Sequence, residues 1–326
     1  MTRVCIYGAG AIGGNLAAKI ASSGADVSVV ARGAHLAAIQ ANGLVVETLT
    51  ETLTARVKAS ADPAALGVQD LVLVTTKTPA LPDVAARIAP LLGPDTPVLF
   101  VINGIPWWYC DGLGGPYAGT KLDMLDPTGV LHDKIGIART LGGVVYAACS
   151  VPSPGVVRIS SPHNRVIIGE IDNRITPRAE QIAALLKASG IEEKVSTNIR
   201  ADVWTKLLVN LGSAPVSVLT GAPVNVSMAE LPIEQATRAI YAEAAEIAKK
   251  LGSPVSLDVE AWIAAGKRLT HKPSMLQDLE LGRRMEITTL FEATLALARL
   301  AGVQTPVLDL VLALCAVRAR AAGVYG

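Results

Sequence analysis

Apolar and polar positions follow two different periods along this chain. The first part contains short, nearly continuous apolar blocks at residues 3–7, 27–30, 70–75 and 97–102. Blocks of this kind, separated by helical patterns, are typical of buried parallel strands. From about residue 198 the apolar residues recur every three to four positions, which predicts helices. We therefore predict an α/β domain over residues 1–197 and an all-α domain over residues 198–326.

The same patterns predict the remaining elements. Helices are predicted over residues 35–41, 79–92, 177–189, 201–211, 233–251, 259–269, 275–300 and 306–322. Further strands are predicted at residues 44–48, 52–57, 142–150, 155–160 and 165–169. Residues 107–138 are rich in Gly, Pro and aromatic side chains and are predicted to form an ordered insertion over the active site. A surface elaboration or a subunit contact is the alternative for this insertion.

The chain begins with a strand, a glycine turn and a helix. Gly8, Gly10 and Gly13 have the spacing G-x-G-x-x-G, and the helical pattern after them stops at Gly24. This context indicates a Rossmann-type dinucleotide site, in which the three glycines allow a tight turn, close approach of a pyrophosphate and close helix packing. The phosphates would lie at the helix N-terminus, where the helix dipole favours anions. The alternative is a structural turn without a ligand.

The end of the second strand indicates which dinucleotide is bound. An NAD site usually has a carboxylate there for the ribose hydroxyls, but this strand ends at Val30 and is followed by Ala31 and Arg32. A guanidinium can bind a 2′-phosphate through two hydrogen bonds. We therefore predict NADP(H) with Arg32 as its main discriminator, and the alternative is a solvated surface arginine.

Two polar residues follow neighbouring strands at their carboxyl ends. Lys77 comes just after the block 70–75, and Asn103 comes just after the block 97–102. Ligands of open α/β sheets bind at this edge. Together the two residues favour a site, although each alone is an ordinary loop residue.

Composition excludes several classes of protein. The net charge is +1, so there is no long-range field for nucleic acid or an anionic membrane. No apolar run approaches the roughly 20 residues of a membrane span, and no signal-peptide pattern is present, so a cytoplasmic protein is expected. The scattered cysteines indicate reduced thiols and no metal site. They are Cys5, Cys110, Cys149 and Cys315.

Residues 202–210 are the most informative part of the helical region. Lys206 and Asn210 are four positions apart and lie on one helix face. A lysine desolvated at a domain cleft has a lowered pKa and can donate a proton to the oxygen that becomes negative when a ketone accepts hydride. A snorkelling surface lysine is the alternative. No histidine is as well placed, and all four are expected mostly at the surface: His35, His132, His163 and His271.

A second polar cluster lies between residues 272 and 286. Ser274 has Gln277 three residues later, which is the spacing of a helix capping box. Glu286 is predicted in the middle of the helix over residues 275–300, between Met285 and Ile287. A carboxylate in such apolar surroundings either pairs with a cation or binds a ligand hydroxyl.

These motifs resemble those of the ketopantoate reductases (2-dehydropantoate 2-reductases), the NADPH-dependent enzymes of pantothenate biosynthesis. The resemblance covers nearly the whole length, and its last two motifs are specific. It is carried by GAGAIGG at residues 8–14, LVTTK at 73–77, NGI at 103–105, IRADVWTKLLVN at 199–210 and SMLQD with a later EI at 274–287. It implies a Rossmann-type N-terminal domain and an all-α C-terminal domain like that of 6-phosphogluconate dehydrogenase, with the site in the cleft between them.

The resemblance also implies the roles of individual residues. Lys206 would donate the proton to the carbonyl oxygen of a small 2-oxo acid, most simply 2-dehydropantoate, which would become (R)-pantoate. The implied substrate contacts are Asn103, Asn210, Ser274 (to the carboxylate) and Glu286. The implied cofactor contacts are Gly8, Ala9, Gly10, Ala11, Ile12, Gly13, Arg32, Lys77, Asn103, Ala148 and Glu286.

The sequence departs from the family pattern at several substrate-side positions. Ala214 stands where the family often has Asn, and Val224 stands where another Asn is expected, with Asn225 one place away. These changes, with Trp107 and Trp108, suggest a more apolar pocket and keep a bulkier, mandelate-type 2-oxo acid open as the substrate. A non-catalytic NADP-binding regulator is the alternative from another class. The apolar C-terminal helices are consistent with a homodimer.

Overall fold

A computed structural model describes residues 1–256 and 258–325. The chain divides into two compact units. The first unit contains Met1–Ile102 and Asp126–Ile199, and the second contains Asn103–Leu125 and the residues from Arg200 onward. Asn103 and the aromatic segment after it therefore group with the helical unit, whereas the sequence analysis had assigned residues 1–197 to one domain.

Among the described residues, ten strands form one sheet in the first unit. They are β1 (Arg3–Tyr7), β2 (Asp26–Val30), β3 (Leu44–Glu47), β4 (Thr52–Ala55), β5 (Lys58–Ser60), β6 (Leu71–Val74), β7 (Val98–Val101), β8 (Thr140–Ser153), β9 (Val156–Glu170) and β10 (Glu192–Val195). The strand order is β4-β3-β9-β8-β7-β6-β1-β2-β5, with β10 beside β9. β1 is parallel to both β2 and β6, and β7 continues the parallel part.

Most predicted helices are observed, but the helix predicted over residues 201–211 continues to Thr220, and the short helices Val130–Lys134 and Val224–Met228 were not predicted. The observed helices are α1 (Ala11–Ser22), α2 (Gly33–Asn42), α3 (Leu81–Arg87), α4 (Val130–Lys134), α5 (Pro177–Ala188), α6 (Ile199–Thr220), α7 (Val224–Met228), α8 (Leu231–Lys250), α9 (Val259–Gly266), α10 (Ser274–Glu280), α11 (Ala293–Leu300) and α12 (Pro306–Ala321). Within the described ranges, none of these helices is both long and apolar enough to cross a bilayer.

The core of the first unit lies under the parallel strands. Leu16, Ala17 and Ile20 of α1 and Ile182 and Leu186 of α5 pack in one cluster with the strand side chains. Burial of such apolar surface is the main stabilising contribution to folding. The carboxyl ends of β1 and β2 consequently meet the N-terminus of α1 in a fixed geometry.

The end of the predicted sheet differs from expectation. The two strands predicted at residues 155–160 and 165–169 are one strand, β9 (Val156–Glu170), because its antiparallel pairing with β8 continues past two register shifts. Residues 161–164 lie between the two predicted strands, but in the structure they are part of β9. A β-bulge keeps two strands paired while one carries extra residues, so polar side chains can remain within a ladder.

The predicted helix over residues 275–300 is interrupted. α10 ends at Glu280, and Gly282 has a φ of +63°, a left-handed conformation typical of a helix end. The chain re-enters a helix with a π-helical turn at Thr288–Glu292, which continues into α11. Glu286 therefore lies just before a helix rather than in the middle of one, and the prediction for its local structure was wrong.

The aromatic segment Trp107–Tyr109 lies in the core of the second unit. Trp108 is 1% exposed and Tyr109 is not exposed. The guanidinium of Arg200 lies 5.8 Å from the ring centroid of each, and its Nε donates to the Tyr109 carbonyl at 2.8 Å. Because these buried side chains pack against Arg200 in the first turn of α6, they belong to the core and are not a surface elaboration. A cover over the active site by residues 107–138 stays a prediction.

Tyr109 also completes the hydrogen bonding of a buried tryptophan. Trp204 Nε1 donates to Tyr109 Oη at 2.6 Å, and both residues are fully buried. Y109F should lower the free energy of unfolding by about 1–3 kcal/mol, since the indole N–H would stay buried without its acceptor. Thermal and urea unfolding would measure this change, and Y117F, at a partly exposed tyrosine, is the control. Equal stability of the two variants would contradict a stabilising role for the hydrogen bond between Trp204 and Tyr109.

Candidate active site

The glycine turn after β1 has the geometry of a dinucleotide loop. Gly8 has a φ of +108°, which favours glycine. A Cβ at Gly13 would lie 2.1 Å from the Gly8 carbonyl oxygen and 2.3 Å from Thr75 Oγ1, so only glycine fits there. Gly10, in contrast, has no atom within 4 Å of the place where a Cβ would be. The turn is thus closed on the side of the sheet and open at Gly10.

The N-terminus of α1 is suited to a pyrophosphate. Its N-cap is Gly10, no side chain caps it, and no acidic residue occurs in its first turn. Its first N–H groups and the positive end of the helix dipole are therefore not neutralised by the helix's own side chains. These observations fit the phosphates of a dinucleotide, with Ala11, Ile12 and Gly13 in the first turn.

The turn is held in place by contacts with β2 and α2. The N–H groups of Gly8 and Ala9 both donate to the Val30 carbonyl, at 3.1 and 3.3 Å. His35 of α2 lies 2.6 Å from the Ala9 carbonyl through Nε2, and its Nδ1 accepts from the Gly155 N–H at 2.9 Å. His35 is predicted at the surface, but in the structure it is partly buried and bridges the glycine turn and Gly155.

Arg32 follows β2 and is the N-cap residue of α2. Its guanidinium donates to the carboxylate of Asp83 in α3, and both side chains are about half exposed. Arg32 is therefore at the place predicted for a 2′-phosphate reader, beside an acidic residue that the sequence analysis did not single out. Asp83 and Arg32 are 51 positions apart, so no local pattern indicates their contact.

The two other cofactor residues predicted in the first unit lie on different elements. Lys77 is exposed and caps the short turn after β6. Ala148 lies in β8 at the register shift between Ala147 and Cys149, and its carbonyl accepts from Ser160 Oγ at 3.3 Å. Their contacts with a dinucleotide remain predictions.

Lys206 and Asn210 share one face of α6, as predicted. Lys206 is partly buried, and burial lowers the pKa of its ammonium group. The adjoining side of the helix carries Val203, Leu207 and Leu211, which are buried in the second unit. The His271 pKa is also lowered, first by burial and then by the positive charge of Lys206, which places this histidine near the lysine.

Asn103 lies against the turn that follows Glu286. The Ile105 N–H donates to the Thr289 carbonyl at 2.8 Å, and a Cβ at Gly104 would come within 2.6 Å of the same oxygen. This close approach fixes the Asn103 turn beside the π-helical turn, a type of distortion that is frequent at functional sites. Glu286 is 8% exposed and lies three residues before Thr289, the residue that contacts Gly104 and Ile105.

Ser274 is the first residue of α10, and its side chain is exposed. The N-cap is Pro273, with no capping bond from a side chain, and Gln277 Nε2 donates instead to the Lys272 carbonyl at 2.8 Å. The capping box suggested by the spacing is therefore absent from this described helix. The Ser274 hydroxyl does not cap the helix, so helix capping does not explain a serine at this position.

Comparison with known proteins gives a consistent result over both units. The family model described as ketopantoate reductase PanE/ApbA matches residues 4–111, and that of its C-terminal domain matches residues 198–319. The 2-dehydropantoate 2-reductase of Mesorhizobium japonicum is 43% identical over 314 residues, covering 96% of each chain.

Solved structures agree with this. A Ralstonia solanacearum MolK2 protein assigned to the same family has a TM-score of 0.93 and 40% identity, with 100% of both chains covered. A D-mandelate dehydrogenase in complex with NADH and anilino(oxo)acetate has a TM-score of 0.83 over 99% of both chains, but at 21% identity it shows the fold alone. The glycine turn, the lysine helix and the extent of these matches lead to one conclusion: the chain belongs to the ketopantoate reductase family.

Proposed function

We propose that this protein catalyses the NADPH-dependent reduction of 2-dehydropantoate to (R)-pantoate. The main observation behind the proposal is that Lys206 lies on one helix face with Asn210 and that burial lowers the pKa of its ammonium group. Membership of the family and the name of the Mesorhizobium japonicum relative support this substrate. A lysine with a lowered pKa is a better proton donor than one in water.

The residues of the second unit would perform separate tasks. NADPH, when bound, supplies the hydride that reduces the ketone carbon. Lys206 would stabilise the charge that builds on the carbonyl oxygen and then protonate it. Asn103 and Asn210 would orient the substrate, Ser274 would bind its carboxylate, and Glu286 would accept from a hydroxyl.

The first unit would bind the cofactor. Gly10 and the first turn of α1 would contact the pyrophosphate, Arg32 and Lys77 would bind the adenosine phosphate, and the backbone at Ala148 would complete the site. The open space at Gly10 and the uncapped N-terminus of α1 support this arrangement.

R32A should reduce the preference for NADPH over NADH by about 10- to 100-fold, because a charge-assisted bidentate contact with the 2′-phosphate would be lost. Dissociation constants for both nucleotides, from quenching of protein fluorescence, would measure this. R158A removes another half-exposed arginine, which pairs with Glu47, and serves as the control. An unchanged ratio in R32A would exclude Arg32 as the reader of the phosphate.

A substrate comparison tests the proposed reaction directly. NADPH oxidation would be followed with 2-dehydropantoate and with phenylglyoxylate, and kcat/KM for 2-dehydropantoate is expected to be the higher. A preference for phenylglyoxylate would support the mandelate-type alternative. No turnover with either, together with tight NADPH binding, would support a regulator.

We also infer that the protein works in a reducing compartment such as the cytoplasm. The four cysteines are free, and burial raises the pKa of Cys5 to about 12 and that of Cys149 to about 11. Buried thiols with raised pKa values are unreactive, as is usual in reduced intracellular proteins.

A further inference from the structure

The cation predicted to read the 2′-phosphate already has an acidic partner within the protein. Arg32 Nη2 donates to Asp83 Oδ2, and the two side chains are 59% and 46% exposed. Asp83 lies in the first turn of α3, which follows β6 at the carboxyl edge of the sheet. A ligand at this edge would therefore meet both members of the pair.

The surroundings of Tyr7 place further charge at this point. Tyr7 ends β1, and its hydroxyl is buried without a hydrogen-bond partner among the described residues. Burial raises the pKa of Tyr7; the charge of Arg87 lowers it, that of Asp83 raises it, and that of Arg32 lowers it again. Arg87 is one helical turn beyond Asp83 and donates to the Ala61 carbonyl at 3.0 Å. Asp83 is thus the anion of a small charged group at the ends of β1 and β2.

We propose that Asp83 is a determinant of cofactor specificity, which holds Arg32 and opposes the binding of a 2′-phosphate. This inference rests on the proposed function, because it concerns the same cofactor site. A 2′-phosphate carries a negative charge and must take the place of Asp83 beside Arg32 or bind close to its carboxylate. Like charges a few ångströms apart repel even in a partly hydrated site. The 2′-hydroxyl of NADH can instead donate to a carboxylate, which is the usual contact in NAD sites.

The pair therefore has opposite effects on the two nucleotides. Arg32 favours the phosphorylated ribose, and Asp83 favours the ribose with free hydroxyls. The preference of this protein for NADPH over NADH is lower than Arg32 alone would give, and D83N should raise this preference. Asn has nearly the same shape as Asp and still accepts a hydrogen bond through its amide oxygen, so the change removes the negative charge with little change in packing and replaces one acceptor oxygen with an N–H donor.

Two nucleotide fragments isolate the effect of the phosphate. 2′,5′-ADP and 5′-AMP differ only in the 2′-phosphate, and calorimetry measures their binding to the full-length protein without substrate or turnover. At low ionic strength, D83N should bind 2′,5′-ADP about tenfold more tightly than the unaltered protein. Its affinity for 5′-AMP should stay the same or fall by less than about threefold, because there is no 2′-phosphate to repel and Asn still accepts from the 2′-hydroxyl, only without the charge of the carboxylate.

D309N is the matched control. Arg299 pairs with Asp309 at 3.1 Å, and their side chains are 64% and 45% exposed, close to the values for Arg32 and Asp83. D309N should change neither affinity. Equal changes of both ligands in D83N, or no tightening of 2′,5′-ADP, would overturn the inference.

R32A separates this inference from the proposed cofactor itself. If R32A weakens 2′,5′-ADP and D83N does not tighten it, the role of Asp83 is wrong and the NADPH site stands. If R32A leaves 2′,5′-ADP and 5′-AMP unchanged, the proposed NADPH site is wrong as well.

Discussion

K206M is expected to lower kcat by about 10²- to 10⁴-fold while leaving the dissociation constant of NADPH nearly unchanged. Methionine keeps the length of the side chain and its packing along α6 but has no proton to give. The carbonyl oxygen would then accept hydride without a nearby acid or positive charge. Stopped-flow measurement of a single turnover, together with titration of NADPH, would separate chemistry from binding.

The pH dependence of kcat should also show the role of Lys206 as proton donor. Because burial lowers the pKa of Lys206, its ammonium form is lost at a lower pH than in a solvated lysine. Activity should be retained below this lowered pKa and fall as pH rises through it, and K206M should lack this alkaline limb. K249M, at an exposed lysine near the end of α8, should behave like the unaltered protein. Turnover by K206M at the rate of K249M would refute the proton-donor role.

The contribution of Lys206 to the free energy of unfolding should change with pH in the direction opposite to kcat. Between the lowered folded pKa of Lys206 and the ordinary pKa of an unfolded lysine, the unfolded chain binds more protons than the folded one. The contribution of Lys206 to the free energy of unfolding therefore rises with pH in that window. Activity and this contribution to stability thus change in opposite senses with alkaline pH.

G13A is expected to destabilise the first unit by on the order of 3 kcal/mol and to abolish dinucleotide binding. The added methyl would lie 2.1 Å from the Gly8 carbonyl oxygen and 3.0 Å from Ile6 Cγ2, so α1 would have to move away from β1. Displacing α1 also displaces the N–H groups proposed to bind the pyrophosphate. Thermal unfolding and NADPH titration would measure both effects.

G10A is the matched control for the same turn. Gly10 has a φ of −70°, which alanine adopts without strain, and open space beside it. G10A should therefore unfold close to the temperature of the unaltered protein but bind NADPH at least tenfold more weakly, because its methyl occupies the space proposed for the pyrophosphate. Full NADPH affinity in G10A would argue against this position of the phosphates, and normal stability of G13A would contradict the close packing.

The order of elements in the first unit could largely be predicted, because it depends on local patterns. The apolar block 3–7 and the glycine spacing after it predict a strand and a helix, and both are observed as β1 and α1. The short strands β5 and β10 were missed. Their few residues are largely polar and partly exposed, so no buried period marks them.

Candidate residues on one element were also accessible from the sequence. Lys206 and Asn210 share a face of α6 because the helical period places residues four apart on the same side. The resemblance to ketopantoate reductases then implied their roles, which stay predictions. The burial of Trp107 and Trp108 could not be predicted, because composition does not say which face of a segment is buried.

The sequence by itself determined most of the parallel strands, the glycine turn, the lysine helix and the family, since each depends on patterns among neighbouring residues. Only the tertiary structure decided that Arg32 pairs with Asp83, that His35 bridges Ala9 and Gly155, and that the Asn103 turn packs against Thr289. These partners are separated by dozens of residues or more, and they meet only because the sheet and the helices are packed in one way. The lowered pKa of Lys206 belongs to the same class, because desolvation depends on all the chain that surrounds the ammonium.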